Sequence, residues 1–488
     1  MDIETMIKES KISCENSNNP SVIIIGAGAA GIAAAAKLYE NNFKNIKILE
    51  AENRIGGRIH TIEFGNQMLE LGAHWIVGEH GNIVHELAME YELFAENSGM
   101  TDDLDEKIFD SSGNLVIFNE SEYEELSVIY NHEGNFEHYA KNNKTASVGD
   151  FYNDKIEKFL KAHPKWKQNK KGITNILDLM MMALYSADSW NDASVISYID
   201  YEKCPGTYIF HWQERGYHSI IDIIMKRYPK PEEELPIINN IILNTKVSLI
   251  DYSNEKIIIK TTNNEIFTAD HVIVTCSLGV LKNQQQLFKP SLSKLKQKAI
   301  DQMGYGSIGK IYLFYNDPWW PLETNVTGFS FLWKDNDLEL FDKNDKKNWL
   351  LGLVGFYTFT SKPNILSGWV MGKYSRDMEK LTDEEVKNHC WEILQKFLGK
   401  TYNVTCPTSI IKSKWYTNEN FHGTYSFLKI NSDHKIANPA KLAEPVIKDE
   451  KPIILFAGEA TSTNHSTTVH GAIETGWREA QRIIQHYS

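Results

Sequence analysis

The sequence predicts an α/β chain of two domains: a parallel, helix-covered sheet built from both ends of the chain, and an inserted domain of mixed sheet and helices, α+β in character. Three observations predict it. The run Val22-Ile23-Ile24-Ile25 passes directly into Gly26-Ala27-Gly28-Ala29-Ala30-Gly31 and an alanine-rich stretch from Ile32 to Leu38. A second apolar run, Ile46-Lys47-Ile48-Leu49, ends on an acid, Glu50. A third, Pro452-Ile453-Ile454-Leu455-Phe456-Ala457-Gly458-Glu459, lies far down the chain and precedes a helical pattern from His470.

The first run reads as a buried parallel strand, being four β-branched residues in succession. Gly26, Gly28 and Gly31 then allow a tight turn, close approach of the backbone to a pyrophosphate, and close packing of helix on strand. The alanine-rich stretch Ile32–Leu38 reads as a helix whose N-terminal N–H groups would face that pyrophosphate, with Ala29 among the cofactor positions. Glu50 stands where an acid hydrogen-bonds ribose hydroxyls. Strand, helix, second strand and acid in this order predict a Rossmann-like, dinucleotide-binding unit; a ligand-free glycine turn is the plain alternative. Asn53-Arg54-Ile55-Gly56-Gly57-Arg58-Ile59 follows at once. Its double glycine lets the chain pass close to a phosphate, and Arg54 and Arg58 would bracket that phosphate with forked donors.

The stretch Glu50-Ala51-Glu52-Asn53-Arg54-Ile55-Gly56-Gly57-Arg58 resembles the extended FAD fingerprint of the flavin amine oxidases. That family includes monoamine, polyamine and L-amino-acid oxidases and histone lysine demethylases. The resemblance runs from about residue 21 to 485 and implies FAD as cofactor.

Bulk properties bound the function. The chain has 488 residues, enough for two or more cored domains. Its 51 basic and 64 acidic residues give a net charge of −13, which argues against nucleic acid and favours cationic ligands. No apolar run is long enough to span a bilayer and no secretory h-region is visible, so no membrane partner is expected. Cys14, Cys204, Cys276, Cys390 and Cys406 are widely spaced, with no Cys-x-x-Cys. That fits a reducing, cytoplasmic setting and argues against zinc, so no metal is expected.

The pattern from about 80 to 200 is helical, polar and aromatic. Strand signals return at Ile237-Ile238, Ile241-Ile242-Leu243, Val247-Ser248-Leu249-Ile250, Lys256–Lys260 and His271–Thr275, then at Ile308–Tyr315 and Trp349–Leu353. The expected layout is a polar extension at 1–20, a discontinuous FAD-binding domain at 21–85, 205–290 and 445–488, and a substrate-binding domain at 86–204 and 291–444.

Lys310 lies inside the strand pattern Ile308–Tyr315, where alternation puts Ile308, Lys310 and Tyr312 on one face. Unaided, it reads as an edge lysine with its head in solvent. The segment Gly304–Tyr312 followed by Asp317-Pro318-Trp319-Trp320 resembles the family strand whose lysine holds a water against flavin N5, and the resemblance gives Lys310 that catalytic role. Leu71-Gly72-Ala73-His74-Trp75-Ile76-Val77-Gly78 resembles the polyamine-oxidase segment whose backbone runs under the flavin. Gly72, Ala73, His74 and Trp75 are thereby cofactor positions, with His74 also facing the amine; Val77 departs from the His or Glu that relatives carry. Lys414–Phe427 resembles the segment that places Trp415 at the cofactor and Tyr425 beside the flavin as an aromatic wall for an amine. Thr424 stands where monoamine oxidases carry their flavin-linked cysteine, which implies non-covalent FAD. Gly458-Glu459 and Ser466-Thr467-Thr468-Val469-His470-Gly471 resemble the second FAD segment, with Thr468 where monoamine oxidases have a cage tyrosine. The resemblance adds Val247 to the cofactor positions.

Glu79, Asp200 and Glu202 are the acids available for a distal ammonium, each otherwise a solvated carboxylate. Together these features imply an FAD-dependent polyamine oxidase acting on spermine, spermidine or N-acetylated derivatives with O₂, as a monomer or weak dimer. A monoamine or L-amino-acid oxidase is the nearest alternative, and a non-catalytic or chromatin-associated flavoprotein the second.

Overall fold

The computed structural model describes residues 20–64, 67–96, 106–130, 136–322, 326–339, 345–359 and 362–488. The expected polar extension up to residue 19, with Cys14, lies outside the described residues. Two six-stranded sheets organise the rest.

The first sheet joins Val446–Lys448, Lys451–Phe456, His271–Val274, Val22–Ile25, Ile46–Leu49 and Ile241–Ile242, in that order. Every pairing in it is parallel except that of Val446–Lys448 with Lys451–Phe456. The β-branched runs explain it: these strands are covered on both faces, and Ile24, Ile48, Ile273 and Leu455 are fully buried, each contributing about 1.5–3 kcal/mol of apolar transfer. One face is covered by Ala29–Glu40 and by the C-terminal helix Val469–Tyr487. Those helices come close because small residues allow it. A Cβ on Gly31 would sit 2.0 Å from the Gly26 carbonyl, and one on Gly476 would sit 2.2 Å from that of Ala30. The other face packs against a four-stranded sheet of Val247–Asp251, Ile257–Thr261, Ile266–Ala269 and Phe288–Lys289.

The second sheet runs Ser409–Lys412, Ile308–Phe314, Ile365–Met371, Leu353–Thr358, Gly328–Leu332 and Glu106–Asp110. It is antiparallel except for its last pair. Asp383–Leu398 packs on one side of it, and Val148–Ala162 and Lys170–Tyr185 on the other.

Three expectations for local structure are corrected. Ile237 and Ile238 sit in a short helical turn, Pro236–Asn240, because the proline starts a turn and cannot donate to a sheet. Trp349 and Leu350 likewise lie in the turn Asn348–Gly352, and the strand begins only at Leu353. The segment from about 80 to 200, read as helical, polar and aromatic, also contains the strands Phe94–Glu96 and Glu106–Asp110, the latter an edge strand recruited by parallel pairing with Gly328–Leu332.

Candidate active site

A cavity of about 2580 Å³ runs across both sheets. That exceeds the roughly 300–1,000 Å³ of a single small-molecule pocket, leaving space for a dinucleotide and a second ligand.

At one end the lining includes Gly26, Gly28, Ala29, Glu50, Gly57, Arg58, Val247, Gly458, Glu459, Thr468 and Val469. The backbone does most of the shaping. Gly26 and Gly57 have φ of +105° and +59°, conformations that a side chain disfavours. The N-terminus of helix Ala29–Glu40 is capped by no side chain, so its N–H groups remain for a ligand. Glu50 accepts hydrogen bonds from the N–H groups of Ala27 at 2.6 Å and Glu52 at 2.8 Å. Burial is the main influence on its carboxyl and pushes the pKa up. A carboxylate has further lone pairs for a ribose. Arg58 bridges the carboxylate of Glu459, at 2.9 Å, and the carbonyl of Thr424. Glu459 also accepts from Ser426 Oγ at 2.8 Å, so it holds Arg58 and two loops in place. Thr468 caps the C-terminal helix, accepting from Gly471 N–H at 3.1 Å. These residues present the uncapped helix start, acid and glycine cradle that a pyrophosphate and ribose require.

Two positions read from the fingerprint do not line the cavity. Gly31 serves the helix–strand contact instead. Arg54 is turned onto its own loop, donating to the carbonyls of Ile55 and Ile59 at 3.4 and 3.3 Å, so only Arg58 of the expected pair lines the cavity. The carbonyls of the Ile55–Ile59 turn satisfy Arg54 before any ligand can.

The middle of the cavity is lined by Gly72, Ala73, His74, Trp75, Lys310, Trp369, Trp415 and Tyr425. Lys310 is 3% exposed. Its Nζ lies 2.9 Å from the Glu70 carbonyl, 2.6 Å from the Gly72 carbonyl and 3.2 Å from His74 Nδ1, and 4.4 Å above the Trp369 ring. Alternation is as expected: Tyr312, two residues on, donates from its hydroxyl to the same Glu70 carbonyl at 2.8 Å. Burial lowers the Lys310 pKa to about 7, with the Glu70 carboxyl opposing that shift. Glu70 is itself buried, accepts from Thr61 Oγ1 at 2.9 Å and Tyr217 N–H at 2.7 Å, and has its pKa raised by that burial. His74 is held well below its ordinary value by burial first and then by Lys310, and stays neutral. Trp75 and Trp369 stack at 4.8 Å beside it. Trp415 Nε1 donates to the Leu71 carbonyl at 2.9 Å, which fixes the strip carrying Gly72 and His74. Tyr425 donates from its hydroxyl to the Ala183 carbonyl on helix Lys170–Tyr185. Thr424, its neighbour, pairs with Ser186 Oγ at 3.0 Å.

The far arm is walled by aromatic and apolar side chains, among them Phe118, Tyr123, Ile176, Met180, Tyr185 and Tyr198. Of the three expected acids, only Asp200 lines it; burial raises its carboxyl pKa. Glu79 points away and accepts from Thr207 N–H at 2.8 Å, bracing the turn at Gly206. Glu202 is exposed and accepts from Asn464 Nδ2 at 2.6 Å. Both carboxylates are satisfied by backbone or amide donors outside the cavity. Glu106 was missed. It lines the arm, accepts from Ser330 Oγ, and burial pushes its pKa up. Glu70 was missed too, although an acid within Met68-Leu69-Glu70-Leu71 was a visible sign of a buried charge.

With this geometry in view, the comparisons decide the family. The profile of the family described as flavin containing amine oxidoreductase matches residues 29–484. The chain belongs to this family. It is an FAD-dependent amine oxidase. It is 28% identical to the probable polyamine oxidase 5 of Arabidopsis thaliana, over 96% of this chain and 98% of that one. It is also 28% identical to the peroxisomal N(1)-acetyl-spermine/spermidine oxidase of Bos taurus, over 95% of this chain and 94% of the other, and to its counterpart in Homo sapiens, over 96% of each. A solved double mutant of putrescine oxidase, redesigned in cofactor binding, shares the fold with a TM-score of 0.66 at 17% identity, covering 96% of this chain and 99% of that one.

The structure also brings Cys204, His465 and His470 together, and the first and last of these line the cavity. His465 and His470 are separated by four residues, a spacing that metal-binding histidine pairs use, whereas Cys204 is 261 residues from His465 and no local pattern joins it to them.

Proposed function

We propose that this amine oxidase is a polyamine oxidase, acting on spermine, spermidine or an N-acetylated derivative. One observation carries the reading: the cavity continues past Lys310 and Tyr425 into an aromatic arm lined by two acids, the half-buried Glu106 and the exposed Asp200. Three strands separate Ile308–Phe314 from Glu106–Asp110. At about 4.8 Å per strand, Glu106 lies roughly 19 Å across the sheet from Lys310. That reach suits an extended polycation better than a compact monoamine. The similarity to named polyamine oxidases supports the same reading.

FAD, when bound, supplies the redox chemistry: it takes a hydride from the carbon beside the amine nitrogen, and the electrons pass to O₂ to give H₂O₂. Gly26, Gly28, Gly57, Glu50 and Arg58 would hold it at the nucleotide end. Tyr425 and Trp369 wall the reacting nitrogen with ring faces that tolerate its cationic form. Lys310, titrating near neutrality beside a neutral His74, holds or releases a proton at Nζ without fixing a charge next to the substrate. Asp200 and Glu106 pair with a distal ammonium and set which carbon is presented. Water hydrolyses the resulting iminium to an aminoaldehyde and a shorter amine. His74 in the segment shared with polyamine oxidases favours release of spermidine or putrescine with an aminopropanal.

The FAD is held non-covalently, because Thr424 has no thiol to form a thioether. Acid precipitation of the yellow protein tests this: the colour leaves with the supernatant, and colour retained in the pellet refutes it. The four described cysteines are free, which supports a reducing, cytoplasmic setting. The test of the whole reading is H₂O₂ release over a panel of amines. Spermine or an N-acetylpolyamine is oxidised, and benzylamine, phenethylamine and L-amino acids are not. Turnover of phenethylamine above spermine overturns the substrate class; release of 1,3-diaminopropane keeps the class and rejects the side of cleavage.

A further inference from the structure

Outside the amine site, three side chains of metal-ligating chemistry converge where the 200–208 loop meets the start of the C-terminal helix. Cys204 Sγ lies 3.9 Å from His465 Nε2. Ligand atoms of Cys204, His465 and His470 all lie within 4.8 Å of one another. In a tetrahedral site, Zn–S of about 2.3 Å and Zn–N of about 2.0–2.1 Å put sulfur and nitrogen about 3.6 Å apart. The observed spacing closes onto an ion with small side-chain shifts.

Two independent features point to a ligand. His470 is 2% exposed, and its Nε2 is buried with no hydrogen-bond partner among the described residues. An orphaned buried nitrogen is rare and costly, and a metal would satisfy it. His465 Nδ1 lies 2.8 Å from the Glu474 carboxylate. That is the carboxylate–histidine arrangement that orients a metal-bound imidazole and leaves Nε2 as the donor. A Cys204 thiolate and the Glu474 carboxylate together balance a dication. The amine oxidation uses none of Cys204, His465 and Glu474.

We propose that Cys204, His465 and His470 form a binding site for a borderline-soft divalent cation of the zinc type, oriented by Glu474. One thiolate and two imidazoles match such an ion, whereas hard cations such as Mg²⁺ or Ca²⁺ require oxygen donors. Cys204 and His470 line the main cavity, which leaves access for a fourth, non-protein ligand. The bound ion ties the loop that carries Asp200 to the helix start that carries Thr468 and Val469. It thereby links the amine arm to the cofactor end.

The test uses FAD-loaded enzyme stripped with a chelator, then titrated with Zn²⁺ against a chromophoric indicator and separately with Co²⁺. One equivalent per chain binds. Co²⁺ gives intense tetrahedral bands at wavelengths longer than the flavin absorbs, and excess Zn²⁺ abolishes them. Cys204→Ser, matched in FAD content, loses the bands, and Glu474→Gln weakens Zn²⁺ by about 10–100-fold. His465→Gln gives the same reading if Cys204→Ser purifies without FAD. Absence of stoichiometric uptake by the wild type, or equal uptake by wild type and ligand variants, overturns the site.

Discussion

Glu50 at the nucleotide end of the cavity and Glu70 near its middle are both buried acids whose pKa is raised by that burial, yet they are held in opposite ways. Glu50 accepts from the N–H groups of Ala27 and Glu52, its own fingerprint loops. Glu70 accepts from Thr61 and from Tyr217, 147 residues away, and its backbone carbonyl receives Lys310 from 240 residues away. The core of the nucleotide end, from Gly26 to Arg58, is shaped by glycines, a helix start and backbone donors that lie close in sequence, with Glu459 arriving from far down the chain to hold Arg58. The amine end is assembled from side chains delivered by three or four distant segments. Changes at the first should act on cofactor affinity, and changes at the second on turnover and substrate choice.

The largest expected effect breaks the amine end alone. Lys310→Met keeps the volume and removes the titrating head. Turnover should fall on the order of 100-fold with FAD content intact. Stopped-flow flavin reduction and reoxidation rates equal to wild type would remove Lys310 from the chemistry. The same variant sharpens the electrostatics. Burial lowers Lys310 from 10.5 to about 7. Between those values the unfolded chain holds a proton that the folded one has released, so this group makes stability rise with pH across that window. Wild type should gain Tm relative to Lys310→Met as pH moves from 7 towards 10; parallel curves would contradict the shift.

Next comes the nucleotide end. Glu50→Ala removes a charged acceptor and orphans the Ala27 and Glu52 N–H groups, at a cost of about 1.5–3 kcal/mol, or roughly 10- to 100-fold in FAD affinity. Full flavin occupancy after dialysis, with unchanged Kd by titration, would break the contrast between the two ends.

Smaller effects belong to the far arm. Glu106→Gln and Asp200→Asn should each raise KM for spermine about 5- to 10-fold with kcat little changed, because they remove uniform binding of a distal ammonium. Glu79→Gln and Glu202→Gln, whose carboxylates face elsewhere, should leave KM within about twofold. The reverse ranking would return the subsite to the outer loops. The smallest effect is that of salt: KM for spermine should rise about twofold between low and physiological ionic strength, since exposed charges are screened over roughly 10 Å at 0.1 M. A flat profile would confine recognition to the half-buried Glu106 and exclude the exposed Asp200.

What the sequence determined by itself is what neighbours along the chain can encode. The run Val22–Ile25, the glycine turn and the acid after Leu49 specify a strand, a helix start and an acceptor whose geometry depends on residues a few places apart. Strand alternation alone put Lys310 and Tyr312 on one face, and both indeed reach Glu70. The tertiary structure decided the rest. Glu106 enters the cavity only because its segment is recruited as an edge strand by Gly328–Leu332, a pairing that no local pattern announces. Glu79 and Glu202 leave the cavity because nearer backbone and amide donors satisfy them first. Arg54 is lost to its own loop carbonyls, while Arg58 is kept at the cavity by Glu459, 401 residues away. Cys204 meets His465 and His470 only when a mid-chain loop is packed against the start of the C-terminal helix. Hydrogen bonding along a local segment can be read from residue order, whereas burial and the pairing of charges depend on which distant surfaces the packed core brings into contact.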